Sequence, residues 1–310
     1  MSEVTMNKAK GQINIVLNSK NTNHLVKEER IEGIDYEQHA ILRSIQTELD
    51  QLIGLENVKK IVKEIYAWLY INKRRKDQGL KSNKQALHMI FKGNPGTGKT
   101  TVARLLGKLF FEMNVLSKGH FIEAERADLV GEYIGHTANK TRDLIKKARG
   151  GILFIDEAYS LARGGEKDFG KEAIDTLVKG MEDYCEDLVV ILAGYPAEMD
   201  YFLSLNPGLP SRFPLMIEFP DYTVDELIHI AKQMLREREY EFTFEAERKL
   251  YYHIEELLHT KKERKFSNGR YIRNLIEKAI RKQAVRLLYE GRYDKKELTL
   301  IRDRDLIIGS

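Results

Sequence analysis

The stretch GNPGTGKT, Gly93 to Thr100, constrains the fold of this chain more than any other. It fits G-x-x-x-x-G-K-[ST], with the apolar run ALHMIFKG (86–93) before it and TVARLLGKLFFEM after it. Strand, glycine loop and helix therefore stand in the order that a phosphate cradle needs. Glycines let backbone N–H groups curl around phosphate oxygens, and the start of the following helix adds a field that favours anions. The candidate nucleotide-binding set is Gly93, Asn94, Pro95, Gly96, Thr97, Gly98, Lys99, Thr100 and Thr101. Within it, Lys99 is expected to meet the β- and γ-phosphates and Thr100 to ligate Mg2+.

The surrounding pattern gives the cradle a sheet to sit on. Short apolar runs recur at 86–93, 120–126, 151–156, 188–195 and 215–220. Helical patterns separate the first four, and an irregular stretch leads into the fifth. Such alternation predicts an α/β fold with a parallel five-stranded sheet between helices. Ahead of it, residues 41–79 read as two helices interrupted at Gly54, with Trp68 as a packing residue. Beyond FPDYTVDEL the strands are expected to stop, and 223–290 reads as consecutive amphipathic helices broken at KFSNGRY. The expected organisation is an N-terminal arm over 1–40, an α/β nucleotide-binding domain over 41–221 and a small all-helical lid over 222–310.

A second motif, GGILFIDEA at 150–158, is an apolar strand ending in two carboxylates. They would stand at the carboxyl edge of the sheet, beside the cradle. Asp156 is expected to hold the Mg2+ shell and Glu157 to polarise an attacking water. GTPases read guanine through N-K-x-D, and in NKTRD (139–143) Arg142 stands where that aspartate belongs. Small-molecule kinases need no acid dedicated to water, so Glu157 favours hydrolysis.

Two arginine positions complete the list. Arg212, in SLNPGLPSRF between the fourth and fifth strands, is a candidate for completing a neighbouring subunit's site as a trans finger. Arg270 and Arg273, in SNGRYIRN, lie three apart and share a helix face. One of them is expected to reach the γ-phosphate from the lid, Arg270 being the first choice.

In this order the motifs resemble those of AAA+ ATPases, and the chain is similar to the CbxX/CfqX family, whose members include red-type Rubisco activases. HMIFKGNPGTGKTT, GGILFIDEAYSLARGG and FSNGRYIRNLIEKA carry the resemblance, which covers most of 86–290. It implies a P-loop AAA+ core and lid, ATP and Mg2+ as cofactors, and a ring, usually a homohexamer, that remodels or threads a protein substrate, with a role in sporulation. It also implies that Tyr133, Ile134 and Gly135 form a pore loop gripping that substrate, with a second pore loop over 162–173. Ile53 and Gly54 would pack against adenine. Tyr195 would stand after the fourth strand, where many relatives carry a polar sensor.

Composition bears on partners and location. Residues 261–310 hold 15 Lys and Arg against 7 Asp and Glu in a chain of net charge +4. A solvated helical face is favoured over a nucleic-acid partner, because no recognition motif accompanies the surplus. Apolar runs fall short of a bilayer span, the N-terminus has no apolar segment behind a basic start, and Cys185 is the one cysteine. A cytoplasmic protein without a membrane partner is expected. The eight histidines form no zinc-type pair; His88 reads as core and His136 as surface. The competing reading is a nucleotide-dependent DNA-binding or scaffolding module, and a third is a small-molecule phosphotransferase.

Overall fold

The computed structural model describes residues 39–81, 86–133, 135–163, 169–260 and 266–308. The expected arm up to residue 38, Ile134 of the pore trio and residues 164–168 of the second pore loop lie outside them.

Two helices lead in, α1 (Ala40–Asp50) and α2 (Glu56–Asp77). The second ends in Arg74, Arg75 and Lys76, cations that suit a helix C-terminus. Trp68 is partly buried against the main core. Five strands follow, β1 (Met89–Gly93), β2 (Phe121–Ala124), β3 (Ile152–Ile155), β4 (Val189–Gly194) and β5 (Leu215–Phe219). All five expected strands form. They pair in parallel in the order β2-β3-β4-β1-β5. Every residue of β3 and β4 is buried, as a parallel sheet with both faces covered requires. Helix α3 (Lys99–Glu112) and α2 contribute to the core on one face, where Phe91, Phe110 and Phe154 are fully enclosed. On the other face α4 (Arg126–Leu129), α5 (His136–Ala148), α6 (Gly170–Asp183) and α7 (Pro196–Leu205) pack around Ile90, Leu153 and Val190.

Helix α7 occupies the stretch that reads as irregular. Pro196 at its first turn presets φ and costs no hydrogen bond there, and Met199, Phe202 and Leu203 bury against the sheet. The lid comprises α8 (Val224–Arg236), α9 (Phe244–His259), α10 (Asn268–Glu290) and the short α11 (Lys295–Thr299). A capping box opens α8: Thr223 accepts from the Glu226 amide while Glu226 accepts from the Thr223 amide. The strands do not stop at β5, because β6 (Glu241–Phe242) pairs in parallel with β7 (Leu300–Ile301). This two-residue pairing clips the chain end onto the lid. Arg286 reinforces the clip, its guanidinium bonded to Asp305 at 2.9 Å and facing Glu297 at 3.3 Å, all nearly enclosed.

His88, just before β1, is 2% exposed and lies against Phe213. Its Nδ1 accepts the Val190 N–H at 3.1 Å and the ring bonds the Met181 backbone, which specifies a neutral imidazole. Burial pulls its pKa down to about 4. The unfolded chain therefore binds one more proton between roughly pH 6.5 and 4. Stability falls as pH drops through that window, by about 3 kcal/mol from this group. Denaturant titrations at pH 7 and pH 4.5 should show this loss in the natural chain and much less in His88→Asn, which keeps an acceptor but does not titrate. An equal loss in both would exclude His88 as its source.

Candidate functional site

The carboxyl ends of three adjacent strands, β3, β4 and β1, meet at one edge of the sheet. β1 delivers the glycine loop, β3 delivers Asp156 and Glu157, and β4 delivers Tyr195. With the lid above, they enclose a cleft of about 790 Å³, within the usual size range for small-molecule sites. Pro95, Gly96, Gly98, Lys99, Thr100 and Thr101 line it, as do Asp156, Glu157 and Tyr195. So do Ile53 and, from the lid, Arg270 and Arg273.

The loop residues divide by task. Gly96 and Gly98 have φ of +72° and +95°, the left-handed region that favours glycine. A side chain at Gly96 would also collide with the Ser267 carbonyl and the Arg270 amide, so lid and loop touch backbone to backbone. Gly93, Asn94 and Thr97 do not line the cleft. Gly93 and Asn94 offer their carbonyls to Lys99 Nζ at 2.7 and 2.8 Å, and Thr97 braces the loop by donating to the Asn94 carbonyl at 2.8 Å. Burial pulls the Lys99 pKa down to about 8, opposed by the nearby Asp156 charge and aided by Arg270.

A polar seam that the sequence did not reveal joins loop, hinge and lid. Asn94 donates to Asp221 at 2.9 Å, and Asn268 donates to the same carboxylate at 2.7 Å and to the Pro95 carbonyl at 3.3 Å. The Asn268 oxygen accepts the Tyr222 N–H at 3.1 Å, and the Tyr222 hydroxyl donates to the Thr97 carbonyl at 3.2 Å. Asn268 is wholly enclosed, with φ +44°. Its only sequence signal is the Asn-Gly pair at a helix start, which reads as a mere break.

Glu157 also has a left-handed backbone, φ +47° and ψ +43°, unusual for a residue with a side chain. Its N–H donates to Asp156 Oδ1 at 3.0 Å. Such strained positions gather at functional sites. Tyr195 caps α7 beside them; burial and then the Glu157 charge raise its pKa, while Arg270 lowers it.

Other expected residues stand elsewhere. Gly54 does not line the cleft and packs against Glu226 of α8. Arg212 is outside the cleft, with Nε on Glu182 at 2.9 Å and a second bond to the Gly208 carbonyl. It precedes β5, whose first residue Leu215 pairs with Met89, the first residue of β1. Arg212 therefore sits at the amino edge of the sheet, opposite the cradle. Tyr133 is 65% exposed, with its ring 5.4 Å from that of the exposed His136, and Gly135 caps α5.

Residues 89–221 match the model of the ATPase family associated with various cellular activities (AAA), and 223–308 match the AAA lid domain. Stage V sporulation protein K of Bacillus subtilis (strain 168) is 62% identical, over 97% of this chain and 95% of that protein. The chain belongs to the AAA family of ATPases. As a family member it is an ATP hydrolase. Protein CfxQ of Xanthobacter flavus is 46% identical over 84% of this AAA ATPase and 82% of its own length. The chloroplastic ribulose bisphosphate carboxylase/oxygenase activase of Cyanidioschyzon merolae is 43% identical over 86% and 91%. Among solved structures, the Thermotoga maritima RuvB Holliday junction branch migration motor superposes with a TM-score of 0.53 at 22% identity, over 83% of this chain and 68% of that one. That likeness extends to the fold alone.

Proposed function

We propose that this AAA ATPase assembles into a homohexameric ring in which Mg-ATP hydrolysis drives the threading or remodelling of a protein substrate. One observation carries the reading: Lys99, Thr100, Asp156 and Glu157 line one cleft, while Arg212 stands at the opposite edge of the sheet. Each chain thus holds a nearly complete hydrolytic site and presents the missing arginine outward.

The residues present fit Mg-ATP. Asp156 and the Thr100 hydroxyl supply hard oxygen donors that would hold a magnesium ion, which would supply positive charge to offset that of the phosphates. Lys99 leaves the Gly93 and Asn94 carbonyls for the β- and γ-phosphates, an exchange that keeps its ammonium bonded throughout. Ile53, with Ile230 and Met234 of α8, gives the cleft apolar lining suited to adenine. Glu157 accepts the proton of the attacking water, and Arg212 of the neighbouring copy stabilises charge on the transferring phosphoryl group. Arg270, with Arg273 in reserve, couples the γ-phosphate to the lid, and Tyr195 stands at the sensor position. The polar seam through Asn268 and Asp221 gives that coupling a rigid path to the loop. Residues 41–221 serve as the nucleotide-binding domain and 222–310 as the lid.

Tyr133, exposed beside the Gly135 hinge, is assigned to grip the substrate, with Ile134 completing the loop. Likeness to stage V sporulation protein K supports a role in sporulation, and a cytoplasmic location accords with that role. Among the described residues no helix is long and apolar enough to cross a membrane. The competing reading is a nucleotide-dependent DNA-binding module; within the basic C-terminal segment Arg286, Arg302 and Arg304 pair with Asp305, Glu297 and Glu290, so these three cations are engaged within the lid.

Light scattering after gel filtration tests the assembly. With Mg-ATP the 36.0 kDa chain should elute at about six subunits, a closed cyclic assembly. A monomer with bound ATP would overturn the ring reading.

A further inference from the structure

Between the sheet and the lid the chain passes once, through residues 220–223, from the end of β5 at Phe219 to the start of α8 at Val224. A link this short and irregular fixes no angle by itself. Asn268, arriving from α10, grips it at two consecutive residues: the side-chain oxygen accepts the Tyr222 N–H at 3.1 Å, and the nitrogen donates to Asp221 Oδ1 at 2.7 Å. The same nitrogen donates to the Pro95 carbonyl at 3.3 Å, and beside it the Gly269 N–H donates to the Gly96 carbonyl at 3.1 Å. From the cradle side Asn94 donates to both Asp221 oxygens, at 3.0 and 2.9 Å. Link, cradle and lid therefore meet at one side chain.

The position is demanding. It needs an acceptor, two N–H donors on one nitrogen and a backbone at φ +44°, and asparagine supplies the amide while tolerating the left-handed region. Aspartate has the acceptor without the donors. Asn268 is wholly enclosed, so a partner left unpaired there carries its full desolvation cost. It does not line the cleft, whereas Gly269, Arg270 and Arg273 do. Any effect of Asn268 on nucleotide therefore passes through the residues that follow it. A Cβ on Gly96 would come within 2.2 Å of the Ser267 carbonyl and 2.7 Å of the Arg270 amide, which puts the first turn of α10 in direct contact with the loop.

We propose that Asn268 is the positioning residue of Arg270: by tying the 220–223 link and the Pro95–Gly96 segment to the start of α10, it holds that arginine in the cleft for the γ-phosphate. This rests on the reading of Arg270 as the lid residue that meets the γ-phosphate. A preorganised arginine adds ATP-specific binding without the cost of ordering the link at each encounter. Without the amide the lid is free to turn about the link, and the contribution of Arg270 is diluted over lid angles that do not reach the nucleotide. ADP has no γ-phosphate, so its binding does not depend on that contact.

The test measures affinity for ADP and for a non-hydrolysable ATP analogue in Asn268→Gly, Arg270→Ala and their combination. Glycine keeps the positive φ and removes only the amide. In Asn268→Gly the preference for the ATP analogue over ADP should fall about tenfold, inside the range of roughly 5–150-fold usual for coupled sites, with ADP affinity within about threefold. Arg270→Ala should show the same loss and the combination no more, since the two act as one unit. An exchange of partners supplies the rescue: Asn268→Asp sets two carboxylates against each other and loses the preference, and adding Asp221→Asn restores a donor opposite a carboxylate and should recover most of it. An unchanged preference in Asn268→Gly, an equal loss for ADP and the ATP analogue, a further loss in the combination, or no recovery on adding Asp221→Asn would each overturn the proposal. Should Asn268→Gly not fold, the exchange decides alone. If Arg270→Ala itself keeps the preference, the reading of Arg270 fails; if it loses the preference and Asn268→Gly does not, only the Asn268 assignment fails.

Discussion

In Glu157→Gln, ATP turnover falls by about three orders of magnitude while Mg-ATP binding persists, because a general base contributes 10²–10⁴-fold and an amide cannot accept the proton. Binding survives because the groups assigned to phosphate and metal are other residues: Lys99, Thr100 and Asp156. Glutamine has nearly the shape of glutamate, so it can retain the left-handed backbone at φ +47° and the N–H bond to Asp156 Oδ1. Phosphate release under saturating ATP measures the first effect and equilibrium binding of a fluorescent analogue the second. Residual turnover within about tenfold of the natural chain would remove Glu157 from the general-base role. Loss of binding would instead make it a ligand of the metal or nucleotide.

The cradle and the acid pair were legible because their chemistry is local. Gly93 to Thr101 and Asp156–Glu157 are contiguous stretches, and strand and helix patterns on either side say where each must stand. The five strands were legible for a related reason: runs such as VVILAG are buried on both faces, so their apolarity is continuous and bounded by turns. Helix α7 was not, because Pro196 and the Asn206-Pro207-Gly208 turn suggest irregular chain, and only Met199, Phe202 and Leu203 bury in the ten residues between. The β6–β7 pair is too short for any period. Asn268 was illegible for a deeper reason. Its partners Asp221 and Pro95 are 47 and 173 residues away, and nothing local distinguishes an asparagine that bridges lid and loop from one that ends a helix.

Arg212→Ala is expected to lower kcat by about 10³-fold or more, the effect of removing an arginine finger, with nucleotide affinity unchanged. The opposite-edge placement makes this prediction specific. No side-chain rotation carries a guanidinium from the amino edge of β5 to the carboxyl edge of β1 within one subunit, so direct contact with the phosphates can come only from another subunit. The bond to Glu182 holds the arginine extended at the surface, and with both side chains partly exposed it is a weak tether that a neighbour's phosphates can outbid. Mixing provides the decisive measurement. Arg212→Ala subunits keep intact clefts, and Lys99→Ala subunits keep intact arginines, so each is silent alone. In a mixed ring, an interface pairing the good cleft of the first with the arginine of the second is complete, and turnover should reappear as the two are combined. Arg212→Lys should recover little, because a point charge lacks the planar fork that spans two phosphate oxygens. If the mixture stays silent although the ring forms, Arg212 acts within its own chain by holding Glu182 and the α6 end. If Arg212→Ala turns over normally, the outward arginine has no part in hydrolysis.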